Sequence, residues 1–277
     1  MKIAVVTTFN EKLYNDYAHK FLETYFVNWP FDLHIYSEES FPIKIEKGNE
    51  KRVTLHNIFK DDPDCKAFVD RNKNREPIPP EQFRGTQYDY LFKDYKTFRH
   101  ESVRFAYKVY SYCHFLMNCK KYSGVICIDA DSVFYKKIEQ DWFLKKKIIK
   151  KSTLMSYLGR GPTRYNNPRG YHMEAGFLYF NMKHPETINF AKEMKRWYDK
   201  DLIYDVPEQH DSYIWDMVRE KFEKKGVKNN DIGDGKAGHV QARTCLGKIY
   251  DHVKGRKPKK VGYSENWRNH NLKNKGS

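Results

Sequence analysis

The stretch SGVICIDAD, residues 123–131, decides the fold. Its run from Gly124 to Ile128 is apolar without alternation and too short for a helix. It therefore reads as a strand buried on both faces, as at the centre of a parallel sheet. Asp129 and Asp131 follow at once. A carboxylate pair at the end of a buried strand is costly without compensation. Spaced one residue apart, the two can converge on one hard cation, Mn2+ or Mg2+, and leave coordination positions open for diphosphate oxygens. Strand-end capping or simple ion pairing is the alternative. Two other Asp-x-Asp pairs, Asp62-Pro63-Asp64 and Asp199-Lys200-Asp201, lie in a polar loop and near a helix end. Both are expected to be solvated surface.

Outward from this strand the pattern alternates. Residues 2–9 (KIAVVTTF) read as the first strand, with Asn10 as N-cap of a helix over 11–28 that Pro30 ends. Strands are expected at 31–37 and 51–58. Residues 60–97, rich in proline and charge, suggest a surface insert or lid. A helix with an apolar face spans 98–120, and further strands occupy 153–158 and 174–181, separated by a polar loop from Gly159 to His172. Helices follow at 185–200 and 209–224, and the chain from Gly226 onward reads as extended. The class is α/β: a Rossmann-like sandwich with a mixed, mainly parallel sheet. We expect one domain over 1–260 and a polar tail over 261–277. In such sheets ligands sit at the carboxyl ends of the strands.

The chain has 277 residues, 39% of them apolar and 16% aromatic. That is enough for a core and speaks against global disorder. No apolar run approaches the ~20 residues of a membrane span. The start, MKIAVVTTFN, lacks a signal peptide's apolar stretch and cleavage site, so a cytoplasmic location is expected. Cys65, Cys113, Cys119, Cys127 and Cys245 are odd in number and contain no CxxC. They argue against a disulfide framework or a Cys-rich zinc site. The net charge of +15 favours a polyanionic partner such as nucleic acid, an anionic glycan or a lipid head group. A Lys-rich soluble surface is the plainer reading.

Other clusters add chemistry. Glu174-Ala175-Gly176 opens a buried strand that ends at Asn181. Its carboxylate is a candidate for a hydrogen bond to sugar hydroxyls or for catalysis, and its glycine lets a ligand approach the backbone. Glu208-Gln209-His210-Asp211-Ser212 sits at a helix start, where polar side chains cap the helix or point into a cleft. In HVKGRKP, residues 252–258, the imidazole of His252 is a competent metal ligand. Lys254, Arg256 and Lys257 can neutralise a diphosphate, and Gly255 permits close approach.

These features, in this order, resemble the metal-dependent glycosyltransferases of the GT-A fold, and within them the glycogenin and galactosyltransferase-like pattern. The late motif is one residue shorter between Gly255 and Lys257, Glu174 stands where Asn is common, and the helix start at 208–211 has one extra residue. The whole chain also resembles small glycosyltransferases of marine bacteriophages. The resemblance implies a nucleotide-sugar donor, a UDP-sugar in the first instance. It implies that Asp129 and Asp131 hold metal and donor, with Ala130 between them, and that His252 is the third metal ligand. It further implies that Lys257 clamps the diphosphate beside Gly255, that Thr7, Thr8 and Phe9 line the nucleobase pocket, and that Lys108 reaches the donor.

The reaction so implied is attack of an acceptor hydroxyl on the anomeric carbon through an oxocarbenium-like transition state. Glu174 and Asp211, with Gln209 beside them, are the catalytic candidates. An inverting route needs a general base, whereas a retaining route can use the leaving phosphate. The acceptor expected from the charge and the phage-like character is hydroxymethylated cytosine in DNA, flipped from its stack and held by aromatics. A lipopolysaccharide or other surface glycan is the alternative. A nucleotidyltransferase would release pyrophosphate and usually carries a glycine-rich loop after the first strand, which this chain lacks. A non-catalytic DNA-binding protein would bind without Asp129 and Asp131, and leaves that pair unexplained.

Overall fold

The structure, a computed structural model, describes residues 1–93, 98–161, 173–235 and 238–253, with residues 263, 264 and 268. Its strands are β1 (Ile3–Thr8), β2 (Asp32–Ser37), β3 (Val53–Asn57), β4 (Gly124–Ile128), β5 (Ser132–Phe134), β6 (Met155–Leu158), β7 (Glu174–Asn181), β8 (Asn230–Asp231) and β9 (Tyr250–His252). The longer helices are α1 (His19–Asn28), α2 (Pro63–Asn72), α3 (Ser102–Asn118), α4 (Thr187–Asp199) and α5 (Asp211–Glu223).

Seven strands form one sheet in the order β3-β2-β1-β4-β7-β6-β8. All neighbours run parallel except β7, which is antiparallel to both β4 and β6. The expected mixed, mainly parallel sheet is therefore present. Alternate residues serve opposite faces. Ala4, Val6, Val125 and Cys127 join the core packed by α2 to α5. Ile3, Val5, Ile126 and Ile128 join the core on the α1 side. Helices on both faces are why GVICI shows no polar alternation.

The first helical segment begins as read, with the Asn10 side chain accepting from Leu13 N at 3.0 Å. A π-turn at Tyr14–Ala18 precedes α1, and the helix closes at Trp29, whose N–H donates to Tyr25 O. Residues 60–97 depart from the surface reading. Within them α2 buries Cys65, Phe68 and Val69 in the core, and only short 3-10 turns occupy 81–92. The acidic residues that made this stretch look solvated have partners. Asp62, Asp64 and Asp199 converge on Lys195 Nζ at 3.4, 2.5 and 3.0 Å. Asp201 pairs with Arg71 at 2.8 Å. Asp62, Asp64 and Asp199 thus build an ion-pair knot on Lys195 that ties α2 to α4, which corrects the solvated-surface reading for the buried Asp62, while Asp64 stays 67% exposed.

The described residues between Gly226 and Val253 hold more regular structure than the extended segment expected. It adds β8, a short helix at Val240–Arg243 and β9. Strand β9 pairs antiparallel with β5 in a separate two-stranded sheet, with Ser132 opposite His252. All five cysteines are free. Among the described residues no helix is long and apolar enough to cross a membrane.

Candidate active site

Asp129 and Asp131 lie just past the carboxyl end of β4, and β5 begins one residue later. The turn between them is fixed from both sides. Asp129 N donates to Gly176 O at 3.4 Å, and Asp131 O accepts from Val253 N at 2.8 Å. Because β9 pairs with β5, it delivers His252 to the carboxylates. His252 Nε2 lies 3.3 Å from Asp129 Oδ2 and 3.1 Å from Asp131 Oδ1. One ligand atom from each of the three residues falls within 4.8 Å of the other two. Two carboxylate oxygens and one imidazole nitrogen suit Mn2+ or Mg2+, and such a set fills only part of either ion's coordination shell. The residues present therefore fit the metal that the sequence implied.

Lys108 sits on α3, beneath the turn. Its Nζ pairs with Asp129 Oδ1 at 2.5 Å and Asp211 Oδ2 at 2.7 Å, and donates to Ala175 O at 2.9 Å. Burial disfavours the ammonium, yet Asp129 and Asp211 outweigh it and hold Lys108 firmly protonated. Burial likewise acts against the Asp211 carboxylate. The Lys108 charge and hydrogen bond prevail, and its pKa falls below the ordinary value. Asp211 opens α5, and the next residue, Ser212, accepts from Ala175 N at 3.3 Å. Gln209 is buried, with its backbone N–H donated to Arg99 O at 2.6 Å. Of the 208–212 cluster, Asp211 is the residue brought to Asp129.

A cavity of about 180 Å³ opens beside the turn, lined by Thr8, Phe9, Asn10, Tyr17, Glu38, Arg104, Lys108, Asp129, Ala130 and Asp131 among others. Thr7 is fully buried in β1 and is not part of that lining. Gly255, Lys257 and Lys254 lie outside the described residues. Arg104, Tyr17 and Glu38 escaped the sequence reading, whereas Lys108 was named in it. Arg104 stands four residues before Lys108 on the same face of α3, a spacing that was legible. Tyr17 is aimed at the cavity by the π-turn, a local irregularity with no sequence signature, of a kind frequent at functional sites. Its hydroxyl is held protonated by burial and by the charges of Asp131 and Asp129.

Glu174 opens β7 and is buried. Its carboxylate contacts His252 Nδ1, His239 Nε2, Arg160 Nη2 and Val240 N at 3.4, 3.5, 3.4 and 3.2 Å. Gly176 is required by a protein group: a Cβ there would lie 2.3 Å from His252 Nδ1.

No family model matches the chain, and no curated protein matches it. Solved structures do. Mouse xyloside xylosyltransferase 1 in its apo form is 14% identical, with 80% of this chain and 82% of that one covered and a TM-score of 0.44. The mannosyltransferase Ktr4p from S. cerevisiae is 13% identical, covering 78% of this chain and 65% of that one, at 0.42. Core-mannan synthase A from Aspergillus fumigatus, in a Mn/GDP form, is 10% identical, covering 91% and 75%, at 0.45.

Proposed function

We propose that the chain is a metal-dependent glycosyltransferase that takes a sugar from a nucleotide-sugar donor to an acceptor hydroxyl. The observation that carries this reading is the convergence of Asp129, Asp131 and His252 beside a cavity at the carboxyl end of the central strand. Asp129, Asp131 and His252 hold the cation. Bound there, a divalent cation supplies positive charge against the negative charge developing on the departing diphosphate. Thr8, Phe9 and Glu38 line the cavity at the ends of β1 and β2, where the nucleoside sits. Arg104 and Lys108, on one face of α3, present cations to the same cavity.

In the transfer, the acceptor oxygen bonds to the anomeric carbon, the bond from that carbon to the phosphate oxygen breaks, and the hydroxyl proton needs a base. Neither side chain weighed for that task is well placed for it. Asp211 is locked to Lys108 with a lowered pKa, and a carboxylate so stabilised is a weak base. Glu174 is surrounded by donors. This favours the retaining route, in which an oxygen of the leaving diphosphate takes the proton, and the product's anomeric configuration reports it.

The acceptor we infer is a polyanion, supported by the net charge of +15. Hydroxymethylated cytosine in DNA is its first form and an anionic surface glycan its second. The structure narrows the support for DNA. The large aromatics are mostly buried, with only Phe98 and Tyr135 among the exposed large apolar residues described. Of the basic clusters, Arg71 pairs with Asp201, Arg75 stacks on Tyr204, and Lys145 pairs with Glu139 and Asp141. Residues 254–260 lie outside the described chain. The test is incorporation of labelled sugar from a panel of UDP-, GDP- and other nucleotide-sugars, with Mn2+. Acceptors are hydroxymethylcytosine DNA, ordinary DNA and an anionic glycan extract. Label in the first alone supports the DNA reading, and label in the glycan alone replaces it. Label in none, with every donor intact, contradicts glycosyl transfer.

A further inference from the structure

Glu174 is 2% exposed, and four nitrogens stand around its two oxygens. Oε1 faces His252 Nδ1 at 3.4 Å and His239 Nε2 at 3.5 Å. Oε2 faces Arg160 Nη2 at 3.4 Å and accepts from Val240 N at 3.2 Å. A carboxylate in that position is spent as an acceptor and has no open side toward an incoming sugar hydroxyl.

The same contacts suit a different task. His252 reaches the Asp129 and Asp131 carboxylates through Nε2 and Glu174 through Nδ1. A neutral imidazole has one N–H and one lone pair, and only the lone-pair nitrogen can bind a cation. Nε2 faces the two aspartates and Nδ1 faces Glu174, so a cation taken up between Asp129, Asp131 and Nε2 would leave the ring's N–H on Nδ1, where Glu174 Oε1 can accept it. The ring plane is fixed as well. It lies against Gly176, where a Cβ would come within 2.3 Å of Nδ1 and 2.7 Å of Cε1. Gly176 and Glu174 lie two residues apart on β7, so both reach His252 from the same strand face.

We propose that Glu174 is a positioning residue: it holds the His252 ring by Nδ1, with Nε2 presented for the cation that Asp129 and Asp131 would share. This rests on the reading of Asp129, Asp131 and His252 as the metal centre. It places the proton acceptor of the transfer elsewhere than Glu174. Arg160 and the Val240 N–H hold the carboxylate in turn, which makes the chain Arg160–Glu174–His252 an outer layer of the proposed metal site.

The experiment compares the metal-free full chain with Glu174→Gln, a near-isosteric change. Circular dichroism and thermal unfolding confirm that the variant is folded. Two quantities are read. The Mn2+ affinity, by electron paramagnetic resonance titration, is expected to weaken by about 10- to 100-fold in Glu174→Gln. Turnover at saturating Mn2+ is expected to recover most of kcat, because the defect lies in holding the cation. Unchanged affinity, or a kcat loss that persists at saturating metal, would each overturn the assignment. Failure of the functional reading looks different: no donor is turned over by the wild type, while the affinity result still decides the role of Glu174. A wild type that binds no Mn2+ overturns both.

Discussion

At the scale of single residues, Lys108 is the electrostatic keystone. It pairs with Asp211 and Asp129 in one place, which keeps Asp211 ionised inside the protein. Removing one partner of a buried pair leaves a stranded charge, at a cost of several kcal/mol. Lys108→Met is expected to destabilise the fold by about 3 kcal/mol in urea unfolding. Lys108→Met/Asp211→Leu should recover part of that loss, and a single variant as stable as wild type would refute the pairing. Gly176 makes the opposite kind of demand. Its role was read in the sequence as backbone access for a ligand, whereas the close neighbour is the His252 ring. Gly176→Ala should push that ring aside and weaken Mn2+ binding about tenfold with circular dichroism unchanged. Equal affinities would show that the ring has room to move.

At the scale of elements, the central sheet was legible because its signals are local. The run at 124–128 and the Glu174–Asn181 strand follow from apolar composition bounded by polar residues. Asn10 as a cap follows from its side-chain chemistry. Strand β9 was not legible. It is three residues long, and its existence depends on a partner, β5, more than a hundred residues away. His252 was still singled out as a candidate metal ligand, because an imidazole's chemistry shows in the sequence even when its strand does not. Helix α2 was hidden for another reason: its acidic residues look solvated until Lys195 is placed among them. The edge of the sheet carries a pH dependence. His34, on β2, contacts His56 Nε2 at 2.9 Å and Tyr122 OH at 3.0 Å. Burial first, and then the His56 charge, push its pKa down from 6.5 to about 3. Burial pushes His100 down to about 4. The unfolded chain takes up these protons near 6.5, and the folded chain only far below. Stability is therefore complete above 6.5 and is lost as the pH falls from there toward 3. Thermal midpoints should decline steadily across that window, and less steeply in His34→Gln. The same slope in both proteins would remove His34 from the account.

At the scale of the whole molecule, the parallel half of the sheet and its antiparallel neighbour β7 meet at β4, and the site lies where they meet. From one side β1 and β2 bring the cavity walls. From the other, β7 brings Glu174 and Gly176, and the late β5–β9 pair closes the turn with His252. The chain therefore assembles the three proposed metal ligands from distant positions, which is how a basic protein comes to hold a defined acidic centre. The most direct test is release of nucleoside diphosphate from a nucleotide-sugar panel, with Mn2+ or Mg2+, by wild type and Asp131→Ala. The account predicts metal-dependent release by the wild type that vanishes on chelation and in Asp131→Ala, although the variant stays folded. Release unchanged in Asp131→Ala, or no release by the wild type from any donor with either metal, would contradict it.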